Sequence, residues 1–232
     1  MAKIVGILGG MGPLASLDLQ LKIIENTVAQ KDQDHLHVIT DCHSQIPDRT
    51  EAILHGGEDP LPKLLESVER LDKAGAQVLI MACNTAHYYL NEMKKHTSVP
   101  FLSIVETAAE AARKTGAKRV AVFSTTATQA IGLYEKACRE RGMEVLDLSK
   151  EDNELVMHAV YELKAGEMHA RAKEMKKLLD RKRAEGAELF LLACTELPIY
   201  FRKNELEGIF IDPTEELARE VIVYAGGEVK EK

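Results

Sequence analysis

The segments GAQVLIMAC (residues 75–83) and GAELFLLAC (residues 186–194) share their glycine, both alanines and a final cysteine in register. Each is a short apolar run, the pattern of a strand buried on both faces of a parallel sheet. Because the copies lie about half the chain apart, the sequence predicts two related halves, each with a thiol at the end of a strand. Two thiols facing a shared cleft could take a proton from one side of a carbon and return one to the other.

The composition is that of an ordinary globular protein. The chain has 232 residues, of which 45% are hydrophobic and 29% charged, and its apolar runs are all shorter than the roughly 20 residues that span a bilayer. The first residues, MAKIVGILGG, lead into glycine turns rather than a signal-peptide cleavage site. We therefore expect a cytoplasmic protein with no membrane partner.

Charge and cysteine usage exclude further classes. The net charge is −7 and the basic residues are scattered among glutamates, so no basic stripe indicates a nucleic-acid partner. The four cysteines are Cys42, Cys83, Cys138 and Cys194, without a CxxC pair or zinc-finger spacing. We expect free thiols rather than a disulfide scaffold or a structural zinc site.

Apolar strands and amphipathic helices alternate along both halves. Strands are predicted at residues 3–8, 35–40, 78–82, 101–104, 119–123, 144–148 and 189–193. Helices are predicted at residues 14–29, 61–74, 85–95, 105–115, 131–141, 152–182 (with a break near Gly166) and 214–224. This order predicts an α/β fold with parallel sheets covered on both faces, whose ligands lie beyond the carboxyl ends of the strands.

The same pattern suggests a domain division. We predict an N-terminal α/β domain over residues 1–99, with the C-terminal helix of residues 212–232 packed on it, and a C-terminal α/β domain over residues 100–211.

Each repeated cysteine is predicted to stand where a strand turns into a helix. Cys83 precedes Asn84 and Thr85, and Cys194 precedes Thr195 and Glu196. A helix N-terminus lowers the pKa of a thiol and also binds a carboxylate. The same helix N-terminus could therefore activate the cysteine and hold a substrate. The alternative is that both thiols are inert and buried, as unpaired cysteines often are.

Two loops after strands are candidates for ligand contact. GGMGP (residues 9–13) could let a ligand approach the backbone, with Met11 as a contact, although it matches neither common phosphate-binding motif and could be a tight turn only. The corresponding loop of the second half, with Ser124, Thr125 and Thr126, offers hydroxyl and N–H groups to a carboxylate or an ammonium group.

Charged and titratable side chains near these loops are further candidates. Arg49, in a proline-stiffened loop, could pair with a substrate carboxylate, and Lys164 is a second candidate cation; the alternative for both is a solvated surface position. His43 and His87 lie nearest the expected cleft. We interpret His87 as a supporting residue, because a histidine four residues into a helix points away from its N-terminal mouth.

Four motifs together resemble the aspartate racemases of the cofactor-independent aspartate/glutamate racemase superfamily. They are ILGGMGP (residues 7–13), QIPDRT (45–50), ACNTAH (82–87) and ACTE (193–196), and the resemblance runs nearly end to end. Glutamate racemases of this superfamily typically carry CTH at the second cysteine motif, so Glu196 favours the aspartate branch.

The resemblance implies two pseudo-symmetric, doubly wound domains with the active site in the cleft between them, usually in a homodimer, and neither pyridoxal phosphate nor a metal. It assigns Cys83 and Cys194 as the catalytic acid/base pair. The α-carboxylate and amine would be held by Asn84, Thr85, Thr125, Thr126 and Thr195, and the side-chain carboxylate by Arg49 and Lys164. Where many relatives have asparagine before IPDR, this chain has Cys42, His43 and Ser44, which bears on side-chain specificity.

These observations predict an enzyme that interconverts L- and D-aspartate with two cysteines, one as thiolate and one as thiol. Glutamate or a broader set of amino acids remains open as substrate. Three competing hypotheses are a hydantoin racemase, a maleate isomerase whose thiol acts as nucleophile, and a binding protein of the same fold without turnover. Two cysteines disfavour a single-cysteine decarboxylase.

Overall fold

A computed structural model describes residues 2–167, 169 and 171–231 of the chain. The chain divides into two compact units, the first formed by Met1–Thr107 with Thr214–Lys232 and the second by Ala108–Pro213. Residues 100–102 belong to the first unit because they pair with Leu79, whose N–H donates to the Pro100 carbonyl and whose carbonyl accepts from the Leu102 N–H. The predicted strand at residues 101–104 is thus a single bridge between Phe101 and Leu79.

Along the described chain, each strand is followed by one or two α-helices. The strands are β1 (Val5–Gly9), β2 (Val38–Cys42), β3 (Val78–Met81), β4 (Arg119–Ser124), β5 (Glu144–Leu146), β6 (Leu189–Ala193) and β7 (Phe210–Ile211). The α-helices are α1 (Pro13–Asn26), α2 (Arg49–His55), α3 (Leu61–Lys73), α4 (Leu90–Lys94), α5 (Ile104–Lys114), α6 (Thr126–Ile131), α7 (Leu133–Arg139), α8 (Lys150–Lys164), α9 (Ala172–Ala184), α10 (Glu196–Lys203) and α11 (Pro213–Ala225). Short 3₁₀ helices cover Asp32–Asp34 and Thr85–Tyr89.

The two units repeat one sheet topology. In the first unit the order is β2-β1-β3, and in the second it is β5-β4-β6 with β7 added at the edge. All these pairings are parallel. In each unit the first strand is central, the second is at an edge, and the third carries the repeated cysteine segment. The predicted α/β class, with two parallel sheets in related halves, is therefore confirmed.

The cysteine-bearing strands are the most deeply covered parts of the sheets. Every residue of β3 and of β6 is buried. In the second unit Phe190 of β6 meets Phe123 of β4 edge to face, with ring centroids 5.5 Å apart. Since both faces of these strands are covered, polar side chains first find room at the turns beyond their carboxyl ends.

One predicted loop is instead a helix. QIPDRT was expected to be irregular, but α2 begins at Arg49 because the Asp48 carboxylate caps it, accepting the N–H groups of Thr50 at 2.7 Å and Glu51 at 3.1 Å. The predicted helix of residues 131–141 is divided at Gly132, which has φ +72°. The break predicted near Gly166 lies between α8 and α9.

The glycine loop after β1 is fixed by two contacts. Gly10 has φ +90°, and a Cβ there would stand 2.3 Å from the carbonyl carbon of His43. The Ser16 hydroxyl of α1 accepts the Gly10 N–H at 2.8 Å and donates to the Gly12 carbonyl at 2.9 Å. The loop therefore requires glycine for its conformation and for its closeness to the chain after β2.

We expect Gly10→Ala to destabilise the protein more than Gly75→Ala. Both glycines have φ near +90°, but a Cβ at Gly75 would meet no atom within 4 Å. Both variants incur about 1–2 kcal/mol of backbone strain, and Gly10→Ala adds an overpacking cost of about 1–3 kcal/mol. Urea unfolding of the two variants measures the difference, and equal stabilities would show that His43 does not crowd this loop.

Candidate functional site

In the first unit, three chain turns meet at the carboxyl ends of the strands. Met11 of the glycine loop, Ile46 of the segment after β2, and Cys83, Ala86 and Tyr89 of the turn after β3 are buried in one apolar cluster. The register aligns these ends, since Leu8 of β1 pairs with Met81 of β3. The fold therefore brings together the glycine, IPDR and first cysteine motifs of the sequence.

Arg49 is buried at this junction rather than exposed to solvent. One guanidinium nitrogen, Nη1, donates to the carbonyls of Ile46 (3.3 Å) and Pro47 (2.9 Å), and Nη2 donates to the carbonyl of Met11 at 3.3 Å. The side chain thus links the α2 turn to the glycine loop. The surface alternative for this residue is wrong.

The Cys83 turn is held by His87. The ring Nδ1–H donates to the Cys83 carbonyl at 2.8 Å, and Nε2 accepts the Ile104 N–H at 3.2 Å, a pattern that assigns the neutral tautomer. The pKa of His87 is lowered to about 4, chiefly by burial and in smaller part by the charge of Lys94. Because both ring nitrogens are engaged, His87 holds the turn and does not act as a base toward the thiol.

The residues beside Cys83 are also enclosed. Asn84 and Thr85 are buried, and the Asn84 carbonyl accepts the His87 N–H at 3.0 Å where the 3₁₀ helix begins. The helix predicted from residue 85 therefore starts as a 3₁₀ turn and continues as α4. Cys83 itself is 5% exposed.

His43, where this chain departs from the aspartate racemase pattern, is bound to α3. Its Nδ1 accepts from Arg70 Nη2 at 2.8 Å and lies 3.2 Å from the Ser67 hydroxyl. Arg70 also contacts Asp41 of β2 at 3.0 Å. The imidazole is thus part of a polar group on the β2 side of the glycine loop.

In the second unit, the hydroxyl loop and the second cysteine are neighbours because Ser124 of β4 pairs with Ala193 of β6. The Ser124 hydroxyl donates to the Thr125 carbonyl at 3.2 Å. Thr125 caps α6, its Oγ1 accepting the Thr128 N–H at 3.2 Å. The Thr126 N–H points at the sulfur of Met157, 3.3 Å away. Each of these residues has a defined position next to Cys194.

Cys194 belongs to a buried polar group with Glu196. The Cys194 thiol donates to Glu196 Oε2 at 3.1 Å, and the Thr195 hydroxyl donates to the same oxygen at 3.2 Å. Lys164 of α8 pairs with the other oxygen, Oε1, at 3.9 Å and is partly exposed. Lys164 therefore lies beside Glu196, and the alternative of a purely solvated lysine is wrong.

This arrangement raises the pKa of Cys194 well above its ordinary value. The causes are burial first and then the negative charge of Glu196, while Lys164 lowers the pKa. The sequence predicted the opposite direction from the helix N-terminus. A helix dipole supplies about 0.3–1 kcal/mol, less than one pKa unit, whereas full burial shifts a pKa by up to about 3–5 units. The effect of burial on the pKa is therefore larger than that of the helix dipole, and Cys194 is a protonated thiol at neutral pH.

Three further side chains, those of Met157, Tyr161 and Tyr134, lie close to these groups. Met157, Tyr161 and Lys164 follow one another at helical spacing on α8, and the Lys164 ammonium lies 5.4 Å from the Tyr161 ring centroid. Because residues at this spacing share one face of a helix, the sequence could have indicated that Met157 lies on the same face as Lys164. Tyr134 is fully buried, and its pKa is raised by burial and then by Cys138 and Cys194; no pattern in the sequence marks it.

The structure groups the predicted site residues by unit. The first unit brings together Met11, Arg49, Cys83, Asn84 and Thr85, and the second brings together Ser124, Thr125, Thr126, Lys164, Cys194, Thr195 and Glu196. In the described parts of the chain, no three His, Cys, Asp or Glu side chains are placed to hold a metal ion together. Nor does any helix of residues 2–167, 169 and 171–231 have the length and apolar character needed to cross a bilayer.

Comparison with known proteins gives matches along nearly the whole chain. The family model for Asp/Glu/hydantoin racemases matches residues 8–221. The broad specificity amino-acid racemase RacX of Bacillus subtilis (strain 168) is 26% identical over 94% of this chain and 96% of its own length.

Two solved structures are also similar to this chain over nearly its whole length. The Picrophilus torridus aspartate racemase has a TM-score of 0.86 and 31% identity, covering 98% of this chain and 96% of its own. An aspartate racemase homologue from Pyrococcus horikoshii OT3 has a TM-score of 0.76 and 27% identity, covering 97% of this chain and 99% of its own.

We expect Glu196→Gln and Lys164→Met to change the reactivity of Cys194 in opposite directions. Removing the Glu196 charge lowers the pKa of the thiol, and removing Lys164 raises it. At neutral pH, a pKa change of one unit alters the thiolate fraction about tenfold. Iodoacetamide labelling of Cys194 across a pH series, read by mass spectrometry, should therefore be faster than wild type in the first variant and slower in the second.

Cys138 provides the internal control for this labelling. It is buried, and burial raises its pKa to about 12, so it stays unlabelled while the protein is folded. Equal labelling of Cys194 in the two variants would mean that the Glu196 and Lys164 charges do not govern its ionisation.

We expect His87 to make the protein less stable in acid. The unfolded chain takes up a proton near the ordinary pKa of 6.5, but folded His87 does so only near 4. The free energy of unfolding therefore falls between these values, by up to about 3 kcal/mol, and levels off below them. In urea unfolding at pH 7 and pH 4.5, His87→Gln should lose much of this dependence. His96→Gln, at an exposed histidine, should keep it. The same slope in both variants would contradict the assignment.

Proposed function

Because the chain belongs to the Asp/Glu/hydantoin racemase family, we propose that it interconverts L- and D-aspartate without a cofactor. The resemblance stated for its motifs is confirmed at the level of this family. The main support for the proposal is a feature that both units share. In each unit, a buried cysteine lies just beyond the carboxyl end of the third strand.

Racemisation requires a base on one face of the α-carbon and an acid on the other. In the proposed reaction, one thiolate takes the α-proton, forming an S–H bond and leaving the electron pair delocalised into the α-carboxylate. The opposite thiol then gives its proton to the other face, and its sulfur becomes the thiolate. One proton is taken and one is delivered, so the site is left ready for the reverse direction.

The surroundings of the two thiols support an assignment of their first roles. Burial and Glu196 keep Cys194 protonated, so we propose Cys194 as the proton donor and Cys83 as the base when the site meets its first substrate. When Cys194 has given its proton, a thiolate stands beside the Glu196 carboxylate. Lys164 offsets this repulsion because it pairs with Glu196.

Substrate positioning is proposed from both units. Asn84, Thr85, Thr125, Thr126 and Thr195 would hold the α-carboxylate and the amine, with Met11 and Ser124 beside them. Lys164 would meet the side-chain carboxylate, since it is partly exposed and its ion pair with Glu196 is long. Arg49 would contribute its charge while its N–H groups fix the glycine loop.

Aspartate is proposed as the preferred substrate for two reasons. Glu196 follows the second cysteine, as in the aspartate branch, and the similarity to the Picrophilus torridus aspartate racemase reaches 31% identity over nearly the whole chain. A second candidate is racemisation of a broader set of amino acids. It is favoured by the match to RacX and by His43, where the chain departs from the aspartate racemase pattern.

We propose a cytoplasmic homodimer that acts on a free amino acid and has neither a nucleic-acid nor a membrane partner. The net charge of −7 supports the first exclusion.

We expect Cys83→Ala and Cys194→Ala each to abolish racemisation. Acid/base groups contribute about 10²–10⁴ in rate, so each variant should lose at least about a hundredfold when pure L- or D-aspartate is incubated and optical rotation is followed. Cys42→Ala, at an exposed thiol, and Cys138→Ala, at a buried one, serve as controls and should retain activity. Wild-type rates in either catalytic variant would rule out the two-base mechanism.

A panel of amino acids in deuterated water tests substrate choice together with mechanism. The wild-type protein should invert aspartate with one α-deuterium incorporated, approaching an even mixture of enantiomers. Cys83→Ser or Cys194→Ser should exchange deuterium into one enantiomer only. Faster inversion of other amino acids than of aspartate would favour the broad-specificity candidate. Absence of exchange with every member, or a covalent thiol adduct, would reject racemisation.

A further inference from the structure

Met157 of α8 differs in exposure from the other methionines of the described residues. Its side chain is partly exposed to solvent. The others are between 0% and 4% exposed: Met11, Met81, Met93, Met143 and Met175. A thioether is oxidised only where an oxidant can reach its sulfur. A peroxide in solution therefore reaches Met157 more readily than any of these five side chains.

The sulfur of Met157 contacts a backbone donor beside the second cysteine. The Thr126 N–H donates to Met157 Sδ at 3.3 Å. Thr126 belongs to the hydroxyl loop after β4, which lies next to Cys194 because Ser124 pairs with Ala193. A thioether sulfur is a weak hydrogen-bond acceptor. A stronger acceptor can therefore replace Met157 at the Thr126 N–H.

Helix α8 is anchored while the Met157 side chain lies at its edge. Val156, Val160 and Leu163 of α8 are buried in the core of the second unit. A methionine side chain has three rotatable bonds and adapts its shape readily. The Met157 sulfur can therefore move toward or away from the Thr126 N–H without any displacement of the helix.

We propose that Met157 is a modification site, at which oxidation by a peroxide withdraws the Thr126 N–H from a bound substrate. Hydrogen peroxide transfers one oxygen atom to the sulfur. Its O–O bond breaks and an S–O bond forms, the thioether loses two electrons to become a sulfoxide, and the peroxide is reduced to water. The sulfoxide oxygen is polar and accepts a hydrogen bond more strongly than the thioether sulfur. The oxidised side chain therefore holds the Thr126 N–H more firmly.

The consequence for substrate rests on the proposed function, in which Thr126 helps to hold the α-carboxylate and the amine. In the reduced protein, a substrate carboxylate displaces the sulfur because a charged acceptor forms the stronger hydrogen bond. In the oxidised protein, the carboxylate must compete with the sulfoxide oxygen. The affinity for aspartate should fall about two- to tenfold, the range that corresponds to one neutral hydrogen bond. Methionine sulfoxide reductases reverse the oxidation, so the loss is reversible.

The cysteines are the competing targets of a peroxide, which reacts with thiolates. Burial and Glu196 keep Cys194 protonated, and burial raises the pKa of Cys138 to about 12. Cys42 is exposed. Dithiothreitol reduces the first oxidation products of thiols, sulfenic acids and disulfides, but it does not reduce a sulfoxide. Treatment with dithiothreitol after oxidation therefore separates the effect of Met157 from that of the thiols.

Peptide mapping by mass spectrometry, after dilute hydrogen peroxide and then dithiothreitol, tests the modification. Met157 should gain one oxygen atom while the five buried methionines remain unmodified. Methionine sulfoxide reductase should then remove that oxygen. Oxidation of the buried methionines before Met157, or no oxidation of Met157, would overturn the proposal.

The Thr126 N–H itself reports the contact. Thr125 and Thr126 form the only pair of adjacent threonines in the chain. Threonine labelled with ¹³C at the carbonyl and ¹⁵N at the amide therefore singles out this N–H in an NMR spectrum that correlates the two nuclei. Oxidation should move the Thr126 proton signal downfield. Met157→Leu, which removes the sulfur and keeps a similar volume, should abolish the response. An unchanged signal in the oxidised wild-type protein would contradict the proposed hydrogen bond.

Titration with racemic aspartate, followed by the same NMR signal, tests the effect on substrate. Oxidised wild-type protein should bind about two- to tenfold more weakly than reduced protein. Met157→Gln, whose amide oxygen replaces the sulfoxide oxygen, should bind as weakly without peroxide, and Met157→Leu should bind equally before and after peroxide. Equal affinities of the reduced and oxidised wild-type protein would overturn the proposal even if the protein racemises aspartate. Because binding is measured without turnover, weaker binding after oxidation in a protein that does not racemise would refute the racemase proposal alone.

Discussion

The complete burial of β3 and β6 is the constraint on which the rest of the structure depends. Parallel strands covered on both faces admit apolar side chains only, so polar chemistry is displaced to the turns beyond their carboxyl ends. In those turns, backbone N–H and carbonyl groups lie outside the sheet and need other hydrogen-bond partners. His87 supplies one for the Cys83 carbonyl, and the Leu197 N–H supplies one for the Cys194 carbonyl at 2.9 Å. The thiols are thereby held by their own backbone, and their sulfur atoms are left for other contacts.

The two thiols have the same place in the topology but different electrostatic surroundings. A neutral imidazole fixes the Cys83 turn, and it stays neutral because burial outweighs its hydrogen bonds. The Cys194 turn contains a carboxylate that accepts from the thiol and a lysine that partly balances it. The two related halves therefore place different charges around their thiols. In a two-base reaction this asymmetry has a use, because the resting site must hold one proton and lack the other.

Much of the fold could be predicted from the sequence, and what could not has identifiable physical causes. The repeated strands were predictable because continuous apolar runs ending in a turn leave few alternatives. Helix α2 was missed because its capping carboxylate, Asp48, stands directly after a proline, which indicated a loop. The positions of Arg49 and Lys164 could not be predicted because their partners come from distant segments of the chain. The Met11 carbonyl accepts from Arg49, and the Glu196 carboxylate pairs with Lys164. The direction of the Cys194 pKa was predicted wrongly because local spacing shows the helix terminus but not the depth of burial.

Helix α1 shows how a charged pair can be buried on the same side of a helix as its apolar residues. Its amphipathic period was evident, and Leu19 and Ile23 are buried as that period predicts, but Asp18 and Lys22 are buried beside them. Burying Asp18 and Lys22 costs desolvation energy that a hydrophobic pair would not, so the pair contributes little net stability. What it provides is specificity: an ammonium group inside the unit must find polar partners, and Thr214 is one of them. The requirement fixes the start of α11 against α1 and so returns the last segment of the chain to the first unit.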